Sequence, residues 1–331
     1  MPDTPRQMLA ACIDRPGPAE SIALRRIPVP VPGGDEVLVR VGQVTVDPVD
    51  TYVRSGRYPT PLPSPFVIGR DLVGTAEAAG TQDSGFAPGD RVWCNSLGHE
   101  GRQGSFAEYA VVPRDRLYHL PEGVDPATAV AVAHLAATAY LGWFVHARLR
   151  PGETVFVGGA AGNIGTAAVQ LATAAGARVV ATAKPADHDR CRRAGADVVL
   201  DYHDEQLADA VAQAAPDGVD VLWETSGHHD PDLVAAVLVP GGRVLVTAAA
   251  DPTSAAAWAS SYTKDVATLG FVMSRARVED LAAAADLINT MLADGRLTAR
   301  ITERGHLAEA AGIHARLEAG QLSGRAVLEV P

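Results

Sequence analysis

The chain has 331 residues, 47% hydrophobic and 20% charged, and carries a net charge of −11. That length exceeds one ordinary core and indicates two domains, and the composition is that of a globular protein. The negative charge argues against a nucleic-acid backbone or an anionic membrane as the main partner.

The N-terminal run Met-Pro-Asp-Thr-Pro-Arg-Gln lacks the basic and apolar regions of a signal peptide. No apolar stretch is expected to reach the roughly 18 uncharged residues that cross a bilayer, so the expected location is the cytoplasm. Ser21–Arg26, Glu36–Val46 and Leu72–Ala79 read as strands, and Ser105–Val112 as a strand returning to them. Pro28, Pro30 and Pro32, then Pro59, Pro61, Pro63 and Pro65, interrupt this region and predict a strongly bent β domain. Cys12, Cys94 and Cys191 are far apart and form neither a disulfide framework nor a metal pair. They are expected as buried or half-buried thiols. His99, in a Gly-His-Glu-Gly loop, and His228–His229 are read first as solvated loop histidines, with a place at the rim of the site as the alternative.

The character changes at Asp125. Pro126–Arg148 is Ala-rich and helical, and βα units follow: Thr154–Val157 into Ile164–Ala175, then Arg178–Thr182 into Asp187–Ala194. Val198–Leu200, Val219–Trp223 and Arg243–Thr247 read as further strands, and Pro231–Leu238 as a helix. Apolar strands alternating with helices predict a parallel sheet covered on both faces. Val278–Gly295 is an amphipathic helix, and Arg325–Val330 is a short strand able to rejoin the N-terminal domain.

Within this half, residues 153–165 read Glu-Thr-Val-Phe-Val-Gly-Gly-Ala-Ala-Gly-Asn-Ile-Gly. Strand, glycine turn and helix in that order make a dinucleotide pyrophosphate site, because missing Cβ atoms let backbone approach phosphate and helix. Gly159, Ala160, Ala161, Gly162, Asn163, Ile164 and Gly165 are its residues. The second strand ends at Lys184, one of only two lysines, where an NAD site has a carboxylate. A cation there favours a 2′-phosphate, hence NADPH; the alternative is a solvated lysine on a turn.

Asp47-Pro-Val-Asp-Thr-Tyr-Val-Arg-Ser-Gly-Arg-Tyr-Pro59 is the most specific motif in the chain. With Gly89-Asp90-Arg91-Val92, Gly104–Tyr109, Ala160–Gly165, Gly195-Ala196-Asp197 and Gly324–Leu328, it resembles the zinc-independent quinone oxidoreductase (zeta-crystallin-like) branch of the medium-chain dehydrogenase/reductase superfamily. The resemblance covers nearly the whole chain. It implies an α/β fold: a GroES-like substrate domain over 1–125 and 270–331, and a Rossmann NADPH-binding domain over 126–269, with the active site between them and a homodimer formed through the Rossmann domains. Carried over by position, it implies that Thr138 and the backbone of Gly270, Phe271 and Val272 meet the nicotinamide, and that Lys184 and Tyr202 meet the 2′-phosphate. Gly227 is expected to line the cofactor, and Arg325 to reach it.

The zinc-dependent relatives have ligands at positions matching Asp47, Arg70 and His134. A guanidinium cannot ligate zinc, so metal-free chemistry is expected. That requires an acceptor activated by conjugation: a quinone or an α,β-unsaturated carbonyl compound, reduced by NADPH. Tyr52, Tyr58, and a hydrogen-bonded Asp47–His134 pair are the candidate proton donors. Asp47 replaces an Asn of the relatives, so either it is a carboxylic acid with raised pKa or the substrate differs. Asn163 replaces a glycine of the turn, where tolerance of unusual φ is expected to matter. Alternatives are a reductase of an enoyl thioester or biosynthetic intermediate, and a non-catalytic, crystallin-like NADPH-binding protein. The loops Asn95–Gly104 and Tyr262–Arg277 are expected to shape the pocket.

Overall fold

The computed structural model describes residues 5–81, 84–247 and 264–331. The first four residues of the N-terminal run, and Tyr262 and Thr263 of the second pocket loop, lie outside the described residues.

The N-terminal region runs β1 (Gln7–Ile13), β2 (Ala23–Pro28), β3 (Glu36–Thr45), α1 (Pro48–Ser55), β4 (Phe66–Val67), β5 (Asp71–Ala79), β6 (Arg91–Cys94), β7 (Tyr109–Pro113) and β8 (Tyr118–His119). Then come α2 (Pro126–Tyr140), β9 (Thr154–Gly158), α3 (Asn163–Ala174), β10 (Arg178–Thr182), α4 (His188–Ala194), β11 (Val198–Leu200), α5 (Leu207–Ala214), β12 (Val219–Glu224), α6 (Pro231–Val237), β13 (Leu238–Val246) and β14 (Ala267–Gly270). The chain ends with α7 (Val278–Ala293), β15 (Ile301–His306), α8 (Ala310–Glu318) and β16 (Arg325–Glu329).

Two units form. The first holds residues 1–134 and 281–331, the second 135–280. In the first, a seven-stranded sheet runs β15-β16-β3-β5-β6-β8 with β7 on β3, beside a three-stranded sheet β2-β1-β4. The C-terminal β16 pairs antiparallel with β3, as the sequence predicts. The core of this unit is aliphatic: Val37, Val39, Val41 and Val44 of β3 pack with Ala10, Cys12, Ile68, Leu72, Phe106 and Leu328. All three cysteines are buried free thiols.

The second unit is one parallel sheet in the order β11-β10-β9-β12-β13-β14. This is the doubly wound order, with its topological switch between β9 and β12. Apolar strand residues Phe156, Val180, Leu222 and Val244 form its core with α5 and α6.

Four expectations are corrected. Pro126–His146 is an uncharged helix of 21 residues with mean hydropathy 1.5, long and apolar enough to cross a membrane; 72% of its apolar window is buried inside the protein, so it is a core helix. Its last turn, Leu141–His146, widens into a π-helix, where Gly142 lies under the Trp223 ring with no room for a Cβ. The unit boundary falls at 134/135 and 280/281 rather than 125/126 and 269/270. Residues after 270 stay with the parallel sheet because Phe271 stacks on His146 at 4.5 Å and packs on Trp223. Strand β1 has no sequence counterpart above; its Met8–Ile13 run is too uniformly buried to alternate. The returning strand begins at Tyr109, since Gly104–Phe106 instead bonds to Val67 and Ile68 as a close-packed corner.

Candidate active site

Three neighbouring strands of the first unit end their ladders at one place. Thr45 of β3 pairs with Asp71 of β5 and with Val327 of β16. Asp47, Arg70–Asp71 and Arg325 therefore converge at the end of β3. Asp47 caps α1 and Pro48 opens it, which turns the chain away from the sheet and leaves the Asp47 carboxylate inside. His134 of α2 completes the group: ligand-type atoms of Asp47, Asp71 and His134 lie within 4.8 Å of one another.

The ion pairing differs from the expected Asp47–His134 bond. Arg325 Nη1 donates to Asp47 Oδ1 at 2.7 Å and to Val46 O at 3.2 Å, with both side chains 1% exposed. His134 Nδ1 instead faces Asp71 Oδ1 at 3.5 Å. Burial opposes the charge on Asp47, but Arg325 and then His134 outweigh it and hold the carboxyl below the usual carboxylate range. Asp47 is thus an ionised acceptor, which corrects the alternative of a raised acid. The raised acids are its neighbours. Burial, reinforced by the Asp47 charge, pushes Asp71 well above its ordinary value. The same causes push Asp50, which accepts the Asp47 N–H at 2.8 Å, up to about 8. Burial pulls His134 below its ordinary value against the attraction of Asp47. The cluster thus sets its two facing carboxyls apart, Asp47 held below the usual carboxylate range and Asp71 pushed above it, with the His134 imidazole pulled below its ordinary value.

The Arg325 guanidinium is buried and bonded to Asp47, so it braces the cluster. Asp71 was the residue sequence reasoning missed, although it directly follows the Arg70 that was singled out.

The tyrosines do not join this group side by side. The Tyr58 N–H donates to Tyr52 O at 3.0 Å, but the rings diverge. Tyr52 is partly exposed beneath the Arg57 guanidinium, 4.5 Å from its ring centre, and borders a groove of about 470 Å³ with Pro48, Thr51 and Glu318. Tyr58 is half-buried with its ring 5.6 Å from His99. His99 is itself buried, which corrects the solvated reading. Its loop is strapped down: Leu97 N–H bonds Arg70 O, and Gly98 N–H bonds Gln103 O. His228 is exposed and His229 half-buried.

The second unit carries the glycine turn at its switch point. Gly159 has φ +65°, open to glycine but rare for other residues. A Cβ on Gly165 would lie 2.3 Å from Gly159 O, so the third glycine lets α3 sit directly on the turn. Gly162 caps α3 without a side-chain bond, leaving the first-turn N–H groups for an anion. Ala160 N–H bonds Thr182 O at 2.9 Å, tying the turn to β10, and Ala161 and Ile164 complete it. Asn163 lies in the first turn of α3 with ordinary helical geometry, so no unusual φ is needed there.

Lys184 follows β10, with its side chain 58% exposed and Nζ 3.8 Å from Asp187 Oδ2. Arg190 binds the same carboxylate at 3.0 Å, so two cations share one anion. Tyr202 is exposed, with its ring tilted against that of His203 at 4.1 Å between centres. Thr138 is buried and donates to Met273 Sδ at 3.7 Å. Gly270 ends β14, Phe271 is held by His146, and Val272 is partly exposed. Gly227 has φ +85° in the turn after β12.

Comparison with known proteins adds the following. Residues 33–122 match the alcohol dehydrogenase GroES-like domain family, and residues 163–290 the zinc-binding dehydrogenase family. The chain is 31% identical to quinone oxidoreductase of Mus musculus over 86% of each chain. It is 32% identical to quinone oxidoreductase of Pseudomonas aeruginosa, covering 90% of this chain and 92% of that one. A mycobacterial protein solved in complex with NADPH superposes with a TM-score of 0.82 at 28% identity, covering 97% of this chain and 99% of that one.

Proposed function

This chain belongs to the quinone oxidoreductase branch of the medium-chain dehydrogenase/reductase superfamily, and from that membership we propose that it is an NADPH-dependent reductase of quinones or α,β-unsaturated carbonyl compounds. The observation that carries the proposal is the uncapped N-terminus of α3 over the Gly159–Gly165 turn, at the switch point of a parallel sheet, with Lys184 beside it. When bound, the cofactor supplies hydride to the electron-poor carbon of the acceptor. Lys184, Arg190 and Tyr202 would take the 2′-phosphate, and Thr138 with the Gly270–Val272 backbone would border the nicotinamide.

Zinc fits the buried cluster poorly. Asp47, Asp71 and His134 offer three donor atoms. But Asp47 is bonded to Arg325, and Arg70 is buried alongside, so a dication would meet two guanidinium groups. Metal-free chemistry is therefore the proposal. The protein's task is then to supply hydrogen bonds and a proton to the oxygen that gains charge. Tyr52 and Tyr58 carry hydroxyls on α1 and just after it. His134 faces Asp71, whose carboxyl burial pushes toward its protonated form, and this pair would pass a proton on while Asp47 balances the local charge. A homodimer is part of the proposal, supported by β14, which among the described residues ends the parallel sheet and has largely exposed residues.

The test is NADPH consumption by purified protein against a small quinone and a panel of enones, with zinc chelated and then restored. Turnover unaffected by chelation is the expected result. Turnover only with zinc would refute the metal-free reading. Tight NADPH binding without turnover would favour the crystallin-like alternative, and turnover only with enoyl thioesters the biosynthetic one.

A further inference from the structure

Glu224 ends β12, the first strand of the second half of the parallel sheet, and pairs in register with Gly158 at the end of β9. Its half-buried carboxylate lies flat over that strand end: a Cβ on Gly158 would come within 1.8 Å of Glu224 Oε2. Oε1 accepts the Ser226 N–H at 2.8 Å, which fixes the side chain and leaves Oε2 with open acceptor sites. Thr225 Oγ1 donates to Gly158 O at 2.8 Å and locks the two strand ends together. A fixed carboxylate therefore stands at the crevice where a doubly wound sheet binds its ligand.

Each half of such a sheet receives one mononucleotide of a dinucleotide. β9, β10 and β11 form the half that ends in Lys184; β12, β13 and β14 form the other. A carboxylate is poorly suited to phosphate and well suited to a vicinal diol, whose two hydroxyls both donate. In NADPH the adenosine ribose has lost its diol to the 2′-phosphate, and the nicotinamide ribose retains one. We propose that Glu224 is the residue that binds the nicotinamide ribose hydroxyls. This rests on the NADPH reading above. It gives the chain separate recognition of the two riboses: cations for the phosphorylated one, a carboxylate for the free diol.

The test is direct binding to the full-length protein, followed by calorimetry with three probes: NADPH, 2′,5′-ADP, and an NADPH analogue lacking the 2′-hydroxyl of the nicotinamide ribose. Glu224→Gln keeps a carbonyl for Ser226 N–H but replaces the free acceptor with a donor, so the turn is retained. Glu224→Ala removes both. Each is expected to weaken NADPH about tenfold to a hundredfold, the usual worth of hydrogen bonds to a charged group. Affinity for 2′,5′-ADP stays within twofold. The deoxy analogue binds the wild type more weakly than NADPH does, and the difference disappears in Glu224→Gln. Unchanged NADPH affinity in Glu224→Gln overturns the assignment, as does equal loss for NADPH and 2′,5′-ADP. A wild type that binds 2′,5′-ADP but shows no cost for the deoxy analogue also overturns it while leaving the NADPH reading intact. A wild type that binds neither nucleotide defeats both.

Discussion

Replacing Arg325 with Met removes the cation bonded to Asp47 and leaves a carboxylate 1% exposed with no guanidinium on Oδ1. Breaking one side of a buried pair costs about 3–5 kcal/mol. For a unit of this size that corresponds to a fall of roughly 6–20 °C in Tm. The pH dependence identifies the cause. In the wild type Asp47 is held below its ordinary pKa, so its contribution is present above the unfolded value and lost only as pH falls through the folded one. Between pH 8 and pH 5 that contribution is constant. In Arg325→Met, burial raises Asp47 instead, as it already raises Asp71. Stability linked to Asp47 is then gained as pH falls, by up to about 1.4 kcal/mol per pH unit below the raised value. Urea unfolding from pH 8 to pH 5 should therefore show a deficit that shrinks with acidity, and Asp47→Asn in the same background should recover part of it at pH 8. An Arg325→Met protein as stable as wild type at pH 8, or a deficit unchanged by pH and by Asp47→Asn, would refute the pairing argument.

Gly165→Ala should weaken NADPH binding at least tenfold and destabilise the protein by about 1–3 kcal/mol, because the new methyl meets Gly159 O at 2.3 Å; cofactor fluorescence titration and urea unfolding read both effects. Lys184→Glu should reduce the ratio of NADH Kd to NADPH Kd by about tenfold or more, since it replaces attraction for the 2′-phosphate with repulsion; an unchanged ratio would leave Lys184 as a solvated turn residue. His314 is fully buried against Phe106, and burial, aided by the Arg54 charge, pushes it down to about 3. Its folded pKa lies below the unfolded one, so its stabilisation is complete above about pH 6.5 and lost at up to about 1.4 kcal/mol per unit as pH falls toward 3. Wild type should lose stability over that range more steeply than His314→Leu, and equal slopes would show that His314 is protonated inside the fold.

Much of the architecture was visible in local pattern. The runs Val155–Val157 and Val179–Ala181 are apolar on both faces, so they read as central parallel strands, and that is where they lie. The glycine turn was legible because φ and Cβ constraints act within a few residues. The elements that escaped were those whose pattern is set by distant partners. β1 is buried by β2 and β4, and β15 exists by pairing with β16. Pro126–His146 is apolar because the protein surrounds it, so composition alone does not distinguish it from a membrane span. The pocket loops carry no periodicity, and His99 is buried only because its loop is strapped onto Arg70 and Gln103.

Sequence by itself determined the two-part α/β plan, the glycine turn between strand and helix, the cation at Lys184 and the family motif around Asp47, since each rests on a short stretch of chain or on a match along it. Only the tertiary structure decided which charges meet. Asp47, Asp71, His134 and Arg325 are separated by up to 278 residues, and their pairing follows from strand order in one sheet. Strand order is fixed by long-range backbone bonds, and burial then selects which carboxyl keeps its proton.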